Sequence, residues 1–250
     1  MAKKLYEESS VQAIANAIRA KNGSTDTYKI AEMPAAISAI ETGGGSLEDD
    51  VVTRSVSGEY SNDRITTVGK YAFYECFGLT AIDMPNVTTL STFAFQKCSK
   101  LADMNLPKVN YLAEGVFYGT AIANADFPLV TYVGSNCFYG ASELTAVNLP
   151  LTSDVLEGTF RGSGVQTADL GATWIARTAF TDVATLETLI LRATTVCVLA
   201  DTVALRGSKI ANGTGYIYVP DELVDSYKAA TNWAALANQI KPISALEAET

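Results

Sequence analysis

Six phenylalanines, Phe73, Phe95, Phe117, Phe138, Phe160 and Phe180, recur at spacings of 22, 22, 21, 22 and 20 residues. Each sits in the same phrase: a small residue, the Phe, often Cys, Gly or Ser, and then apolar residues spaced apolar-x-x-apolar-x-apolar, often closed by Pro. Self-similarity at a period of roughly 20 to 29 residues means that no unit can bury its apolar face alone, so neighbouring units must stack. A chain built this way is a solenoid, held together turn by turn, and it presents long continuous surfaces suited to binding.

Strand geometry assigns the positions within a unit. Successive side chains of a strand point to opposite faces. Leu79, Ile82 and Met84 therefore face inward, as do Leu101, Met104 and Leu106, and then Ile122, Ala125 and Phe127. The triplet returns as Leu144/Val147/Leu149, Val165/Ala168/Leu170 and Leu186/Leu189/Leu191. A degenerate last unit has Leu205 in place of Phe, followed by Ile210, Ile217 and Val219. Pro85, Pro107, Pro128, Pro150 and Pro220 lack an N–H and end each pairing segment. Gly78, Gly119, Gly140 and Gly162 mark corners where turns need glycine. The L-x-x-L-x-L spacing at this period is that of a leucine-rich repeat. The expected fold is an α/β-repeat solenoid of about seven turns over residues 65–220.

Flanking modules are expected on both sides, because the end turns of a solenoid otherwise expose apolar faces. In residues 1–42, Val11, Ile14, Ala15 and Ile18 share one helical face, Ser9 and Gln12 form a capping box, and Ile37 and Ile40 mark a second short helix. A helical hairpin of about 40 residues holds too little core to fold well alone. Val11, Ile14, Ile18, Ile37 and Ile40 are therefore candidates for docking or oligomerisation. Residues 43–64 read as a triglycine linker followed by a capping hairpin with its turn at Ser57-Gly58. Residues 221–250 read as a helical cap. One helix starts at Asp221 and carries Leu223, Val224 and Tyr227 on one side; a second carries Trp233, Leu236, Ala237 and Ile240.

The formal charge is −9, and residues 1–40 hold five Lys/Arg against four Asp/Glu, which leaves about −10 for the remainder. Nucleic acids and anionic lipids are held by Lys and Arg, so neither is an expected partner. There is no histidine, which removes Ser-His-Asp and Cys-His triads and H-E-x-x-H zinc sites. No Gly-rich loop has phosphate-binding spacing, and the acidic pairs Asp49-Asp50 and Glu247/Glu249 lie in a linker and a tail rather than across a cleft. The expectation is a protein that is not an enzyme and uses no cofactor or metal. Cys76, Cys98, Cys137 and Cys197 lack C-x-x-C spacing. Cys76 and Cys98 share a slot in consecutive turns about 4.8 Å apart, close enough for a disulfide, although a pair of small buried thiols suits the slot better. The first twenty residues lack the apolar stretch of a secretory signal, no run of about 18 apolar residues could span a membrane, and no C-terminal anchor follows. The chain is thus expected to enter no membrane and to carry no export address.

Two surface columns are candidates for ligand contact. The position between two inward residues points outward and reads Asp83, Asn105, Asp126, Asn148 and Asp169, then Ile190 and Tyr218. Like charges directly opposite on adjacent strands are destabilising, and an intervening Asn keeps the carboxylates roughly 9.6 Å apart. Such a column is either a solvated ladder, or a polar face that grips hydroxyl-rich ligands such as cell-wall glycans or bridges a cation. The position after each Phe reads Tyr74, Gln96, Tyr118, Tyr139, Arg161 and Thr181. Tyrosine supplies rigid amphipathic area at interfaces, so Tyr74, Tyr118 and Tyr139 either line a sugar- or protein-binding edge or cover the loop edges.

The phrases VGKYAFYECFGLTAIDMPNV and LSTFAFQKCSKLADMNLPKV, with the closing GTGYIYVPDELVDSYKAATNWAALANQIKPIS, resemble the BspA-like leucine-rich-repeat family across about residues 51–243. That resemblance implies attachment to host or bacterial surfaces, as in adhesins of gut and oral bacteria, and supplies no catalytic residues. The segment AIANAIRAKNGSTDTYKIAEMPAAISAI is similar to short N-terminal modules of tail and receptor-binding proteins of bacteriophages and prophages of gram-positive hosts. This second resemblance, with the missing export and anchor signals, implies a virion protein assembled in the host cytoplasm. Its N-terminal helices would dock to other tail proteins or form a homo-oligomer, a trimer being the usual tail-fibre arrangement, while the solenoid binds a bacterial surface glycan or protein. The alternatives are a BspA-like bacterial cell-surface adhesin and a purely structural virion component.

Overall fold

The computed structural model describes Ser46–Leu47 and residues 56–248. The helical hairpin expected over residues 1–42, with Val11, Ile14, Ile18, Ile37 and Ile40, lies outside the described residues, as do the triglycine and residues 48–55.

Each turn lays down one longer and one two-residue strand. The longer series is β2 (Ser57–Ser61), β4 (Gly78–Asp83), β6 (Asp103–Asn105), β8 (Asn124–Asp126), β10 (Ala146–Leu149), β12 (Thr167–Leu170), β14 (Thr188–Leu191) and β16 (Tyr216–Val219). The short series is β1 (Ser46–Leu47), β3 (Thr67–Val68), β5 (Thr89–Leu90), β7 (Tyr111–Leu112), β9 (Tyr132–Val133), β11 (Asp154–Val155), β13 (Trp174–Ile175) and β15 (Val198–Leu199). A last strand, β17 (Ile240–Pro242), joins the longer series. All pairing is parallel, in the orders β2-β4-β6 and β8-β10-β12-β14-β16-β17 on one side, and β1-β3-β5-β7-β9 and β11-β13-β15 on the other. Parallel strands need a crossover of a dozen or so residues, and the remainder of each turn supplies it.

The phenylalanines occupy a third side, where backbone hydrogen bonds run from turn to turn without a strand. Phe73 N–H donates to the Ala94 carbonyl (2.8 Å), Phe117 N–H to Cys137 (2.8 Å) and Phe160 N–H to Ala179 (2.9 Å). The residues two before and two after the Phe donate likewise, as Tyr71 to Thr92 (3.1 Å) and Glu75 to Gln96 (2.9 Å). This path puts the later flanking position in the left-handed region at every turn and the earlier one in the first five. The later one holds Glu75, Lys97, Gly119, Gly140, Gly162, Asp182 and Gly207, all with positive φ. Gly78, expected among the corner glycines, lies in β4 instead, where a Cβ would come within 2.7 Å of the Ser57 Cβ. Glu75 takes the corner.

All six phenylalanines are buried, and their ring centroids follow one another at 5.0, 5.7, 5.6, 5.4 and 4.9 Å in near-parallel stacks. The expected inward triplets join them in one continuous core, with Met104 alone of the triplets only partly buried.

The ends of the array differ from expectation. Ser57-Gly58 is no hairpin turn; it opens β2, whose Ser57 pairs with Gly78 and Ser61 with Asp83, so parallel pairing with the repeats begins before residue 65. Of the two helices expected in the C-terminal segment, the first forms in shortened form and the second does not. The helices α1 (Val224–Ala229) and α2 (Ile243–Glu247) are short, residues 221–223 and 234–239 form 3-10 turns, and Ile240 begins β17 against β16. A strand satisfies the N–H and C=O groups along the open edge of β16, which a helix cannot do. Tyr227 and Trp233 are fully buried and clasp one peptide. Cys197 N–H donates to the Tyr227 hydroxyl (2.9 Å), and Trp233 Nε1–H donates to the Cys197 carbonyl (2.6 Å).

Candidate functional site

The outward column of the longer strands stands in the expected register. Asp83 is opposite Asn105, and Asn148 lies between Asp126 and Asp169. The side chains then pair laterally: Asn105 Nδ2 donates to Asp83 Oδ1 (2.7 Å) and Asn148 Nδ2 to Asp126 Oδ1 (2.8 Å). The amide groups occupy carboxylate oxygens that a bridging cation would need. Asp169 is held by both Arg192 Nε (2.6 Å) and Nη2 (2.7 Å), and the hydrogen-bonded carboxylate raises the Arg192 pKa. Ile190 and Tyr218 do not continue the column, because both are buried. Here α2 packs against β16 and β17, and its Glu247 adds to the field on Arg192. The polar column thus runs from Asp83 to Asp169 and ends there. Among the described residues no group of three or more Cys, Asp or Glu is placed to hold a metal ion, and no helix is long and apolar enough to cross a membrane.

The tyrosine column divides. Tyr118 and Tyr139 stack at 4.7 Å with their planes 10° apart. Tyr74, two turns earlier and separated from them by Gln96, meets Tyr71 edge-on instead, at 5.5 Å and 85°. All three are only partly buried.

Two further features emerge that the sequence reading did not single out. In the short strands the outward column reads Thr67, Thr89, Tyr111, Tyr132, Asp154, Trp174 and Val198. Tyr111 and Tyr132 stack at 4.9 Å and are 40% and 42% exposed, while Leu129 and Leu151, next to Pro128 and Pro150, also face solvent. The recurrence of Tyr at 21 residues, equal to the repeat period, was the available signal. The second feature is the position two before the core Phe, with φ of 59° at Tyr71, 58° at Phe93, 61° at Gly115, 56° at Asn136 and 65° at Gly158. A left-handed backbone costs a residue with a Cβ roughly 1–2 kcal/mol, yet the first two turns place aromatics there.

All four cysteines are buried, and none of them, Cys76 and Cys98 included, forms a disulfide among the described residues. Cys98 Sγ donates to the Phe73 carbonyl at 3.0 Å. Burial pushes the Cys98 thiol up, and those of Cys137 and Cys197 up to about 12. The thiolate, which is the nucleophile, is therefore scarce at neutral pH.

Residues 66–187 match the BspA type leucine rich repeat region in six copies, so the chain carries a repeat array of that type. A leucine rich cell surface protein from Faecalibacterium prausnitzii A2-165 is similar in fold, with a TM-score of 0.55 at 18% identity over 72% of this chain and 59% of that one. A leucine-rich repeat protein from Bacteroides ovatus ATCC 8483 gives 0.48 at 21% identity, over 66% and 54% of the two chains. The chain thus spans less than two thirds of the length of either protein. No curated protein matches the chain. The family match covers residues 66–187 and leaves the tail-module resemblance of residues 1–42 without support.

Proposed function

We propose that this chain is a non-enzymatic binding protein acting at a bacterial cell surface, in the manner of a BspA-like adhesin, and that its ligand is a surface glycan or protein. The observation that carries the reading is the exposed Tyr111–Tyr132 stack on an array of the BspA type. These rings add nothing to the core, and tyrosine at such a position suits recognition. The polar column from Asp83 to Asp169 and the Tyr118–Tyr139 pair extend the available surface. The buried, protonated thiols and the carboxylates held by Asn105, Asn148 and Arg192 favour binding over catalysis. The phage-tail reading rests on features outside the array, and no feature of the array favours it.

The test is adsorption of the full chain to intact bacterial cells, compared with two variants, Tyr111→Ala/Tyr132→Ala and Asp83→Ala/Asp126→Ala/Asp169→Ala. Loss of about tenfold in affinity in at least one variant, corresponding to about 1.4 kcal/mol, is expected. A chain that ignores cells, or two variants that adsorb like the parent, would sink the proposal.

A further inference from the structure

We propose that Tyr71, Phe93 and Tyr74, flanked by Lys70 and Lys97, form a site for an acidic polysaccharide in the first turns of the array. The inference rests on the surface-binding reading above and names a ligand class for one part of that surface. Its first support is the backbone. Five consecutive turns place a left-handed residue two before the core Phe, and three of them use Gly or Asn, which the conformation favours. Bulky residues there are outliers, and outliers of this kind cluster at ligand-binding and active sites.

Core packing does not account for the two aromatics. Tyr71 is 38% exposed, and Phe93 is absent from the buried core. The next turn is nonetheless shaped to seat Phe93: a Cβ on Gly115 would overlap its ring. Tyr71 stacks on Phe93 at 5.4 Å and 21°, and Tyr74 meets Tyr71 edge-on, which makes an open shelf of three rings. Exposed Phe77 belongs to the same turn.

The second support is charge. Lys70 Nζ stands 5.1 Å from the Tyr71 ring centre and Lys97 Nζ 5.8 Å from that of Tyr74, the latter also 3.0 Å from Glu75. Two ammonium groups beside aromatic rings, Lys97 also paired with Glu75, offer an anion positive charge here on a chain of net charge −9. A ligand that matches has flat C–H faces to lie on rings and carboxylates to meet lysines, as a uronic-acid polymer does. A peptide is gripped through a sheet edge or side-chain pockets, and the shelf offers flat ring surface instead.

The experiment is affinity electrophoresis of the full chain through gels containing polygalacturonate, neutral dextran or poly-glutamate. It uses the parent, Lys70→Gln, and the double variant Tyr71→Gly/Phe93→Gly. The parent is expected to be retarded by polygalacturonate only, more weakly as salt rises. The double variant is expected to lose about fivefold or more in affinity, on the scale of a lost interface anchor, with a melting temperature equal to or above the parent's, since glycine suits the left-handed backbone. Lys70→Gln should bind more weakly and respond less to salt. Four results would overturn the proposal: no retardation by polygalacturonate, equal retardation by dextran or poly-glutamate, unchanged binding by the double variant, or a lowered melting temperature that assigns the rings to structure. Cell adsorption reads a separate property, so a chain that binds cells but not polygalacturonate would refute this site and leave the surface-binding reading standing.

Discussion

At the scale of single residues, the phenylalanine column and the buried thiols make the firmest predictions. Phe117 lies between Phe95 and Phe138, with centroids at 5.7 and 5.6 Å, and is fully buried. Phe117→Ala is expected to cost about 3–5 kcal/mol, read as a lowered midpoint in urea; a loss under about 1 kcal/mol would show that the column can collapse around the gap. The thiols of Cys137 and Cys197 rise from 9.0 to about 12, and the Tyr227 hydroxyl from 10.0 to about 12, chiefly through burial. Raised acids that are neutral when protonated stabilise the fold fully below their unfolded values, and that contribution is lost as pH climbs through the folded ones. Unfolding free energy should therefore fall between about pH 9 and 12, and a thiol reagent at about pH 8 should label the chain only in denaturant. Labelling of the native chain would contradict the burial. The core residues were legible because period and apolarity coincide at them. The left-handed positions were half legible: Gly119, Gly140 and Gly162 announce them, whereas Tyr71, Glu75, Phe93, Lys97 and Asp182 adopt the same backbone without glycine's signature.

At the scale of elements, the strands are too short to stand alone and depend on register with the next turn. Close approach of turns is visible at Gly164, where a Cβ would overlap the Ser142 carbonyl oxygen. Gly164→Ala should cost about 1–3 kcal/mol through forced backbone displacement, detectable as a lower melting temperature; an unchanged value would mean that the turns can part freely. The longer strands could be read from alternation over their apolar triplets. The two-residue strands could not, since alternation has no meaning over two positions, and so Tyr111 and Tyr132 escaped notice. The C-terminal pattern of Leu223, Val224, Tyr227, Trp233, Leu236 and Ile240 looks helical in isolation. Residues 221–229 are indeed helical, but beyond them tertiary demand overrode the pattern: the open edge of β16 claims residues 240–242 as a strand, and α2 then packs against β16 and β17. Only three of the expected tyrosine and carboxylate groupings survive as contacts, namely Asp83–Asn105, Asp126–Asn148 and Tyr118–Tyr139.

At the scale of the whole molecule, stacked turns convert single residues into columns, and the columns carry the proposed function. Repeat arrays gain stability from nearest-neighbour contacts, which leaves the outward positions free to vary without harming the fold. The most direct measurement is hydroxyl-radical footprinting of the full chain, free and adsorbed to bacterial cells. Tyr111 and Tyr132 on one face, and Tyr216 on β16 as an exposed reference, are all accessible to oxidation in the free chain. Oxidation of Tyr111 and Tyr132 is expected to fall several-fold on adsorption while that of Tyr216 stays constant. Equal oxidation in both states, or protection of Tyr216 alone, would contradict it.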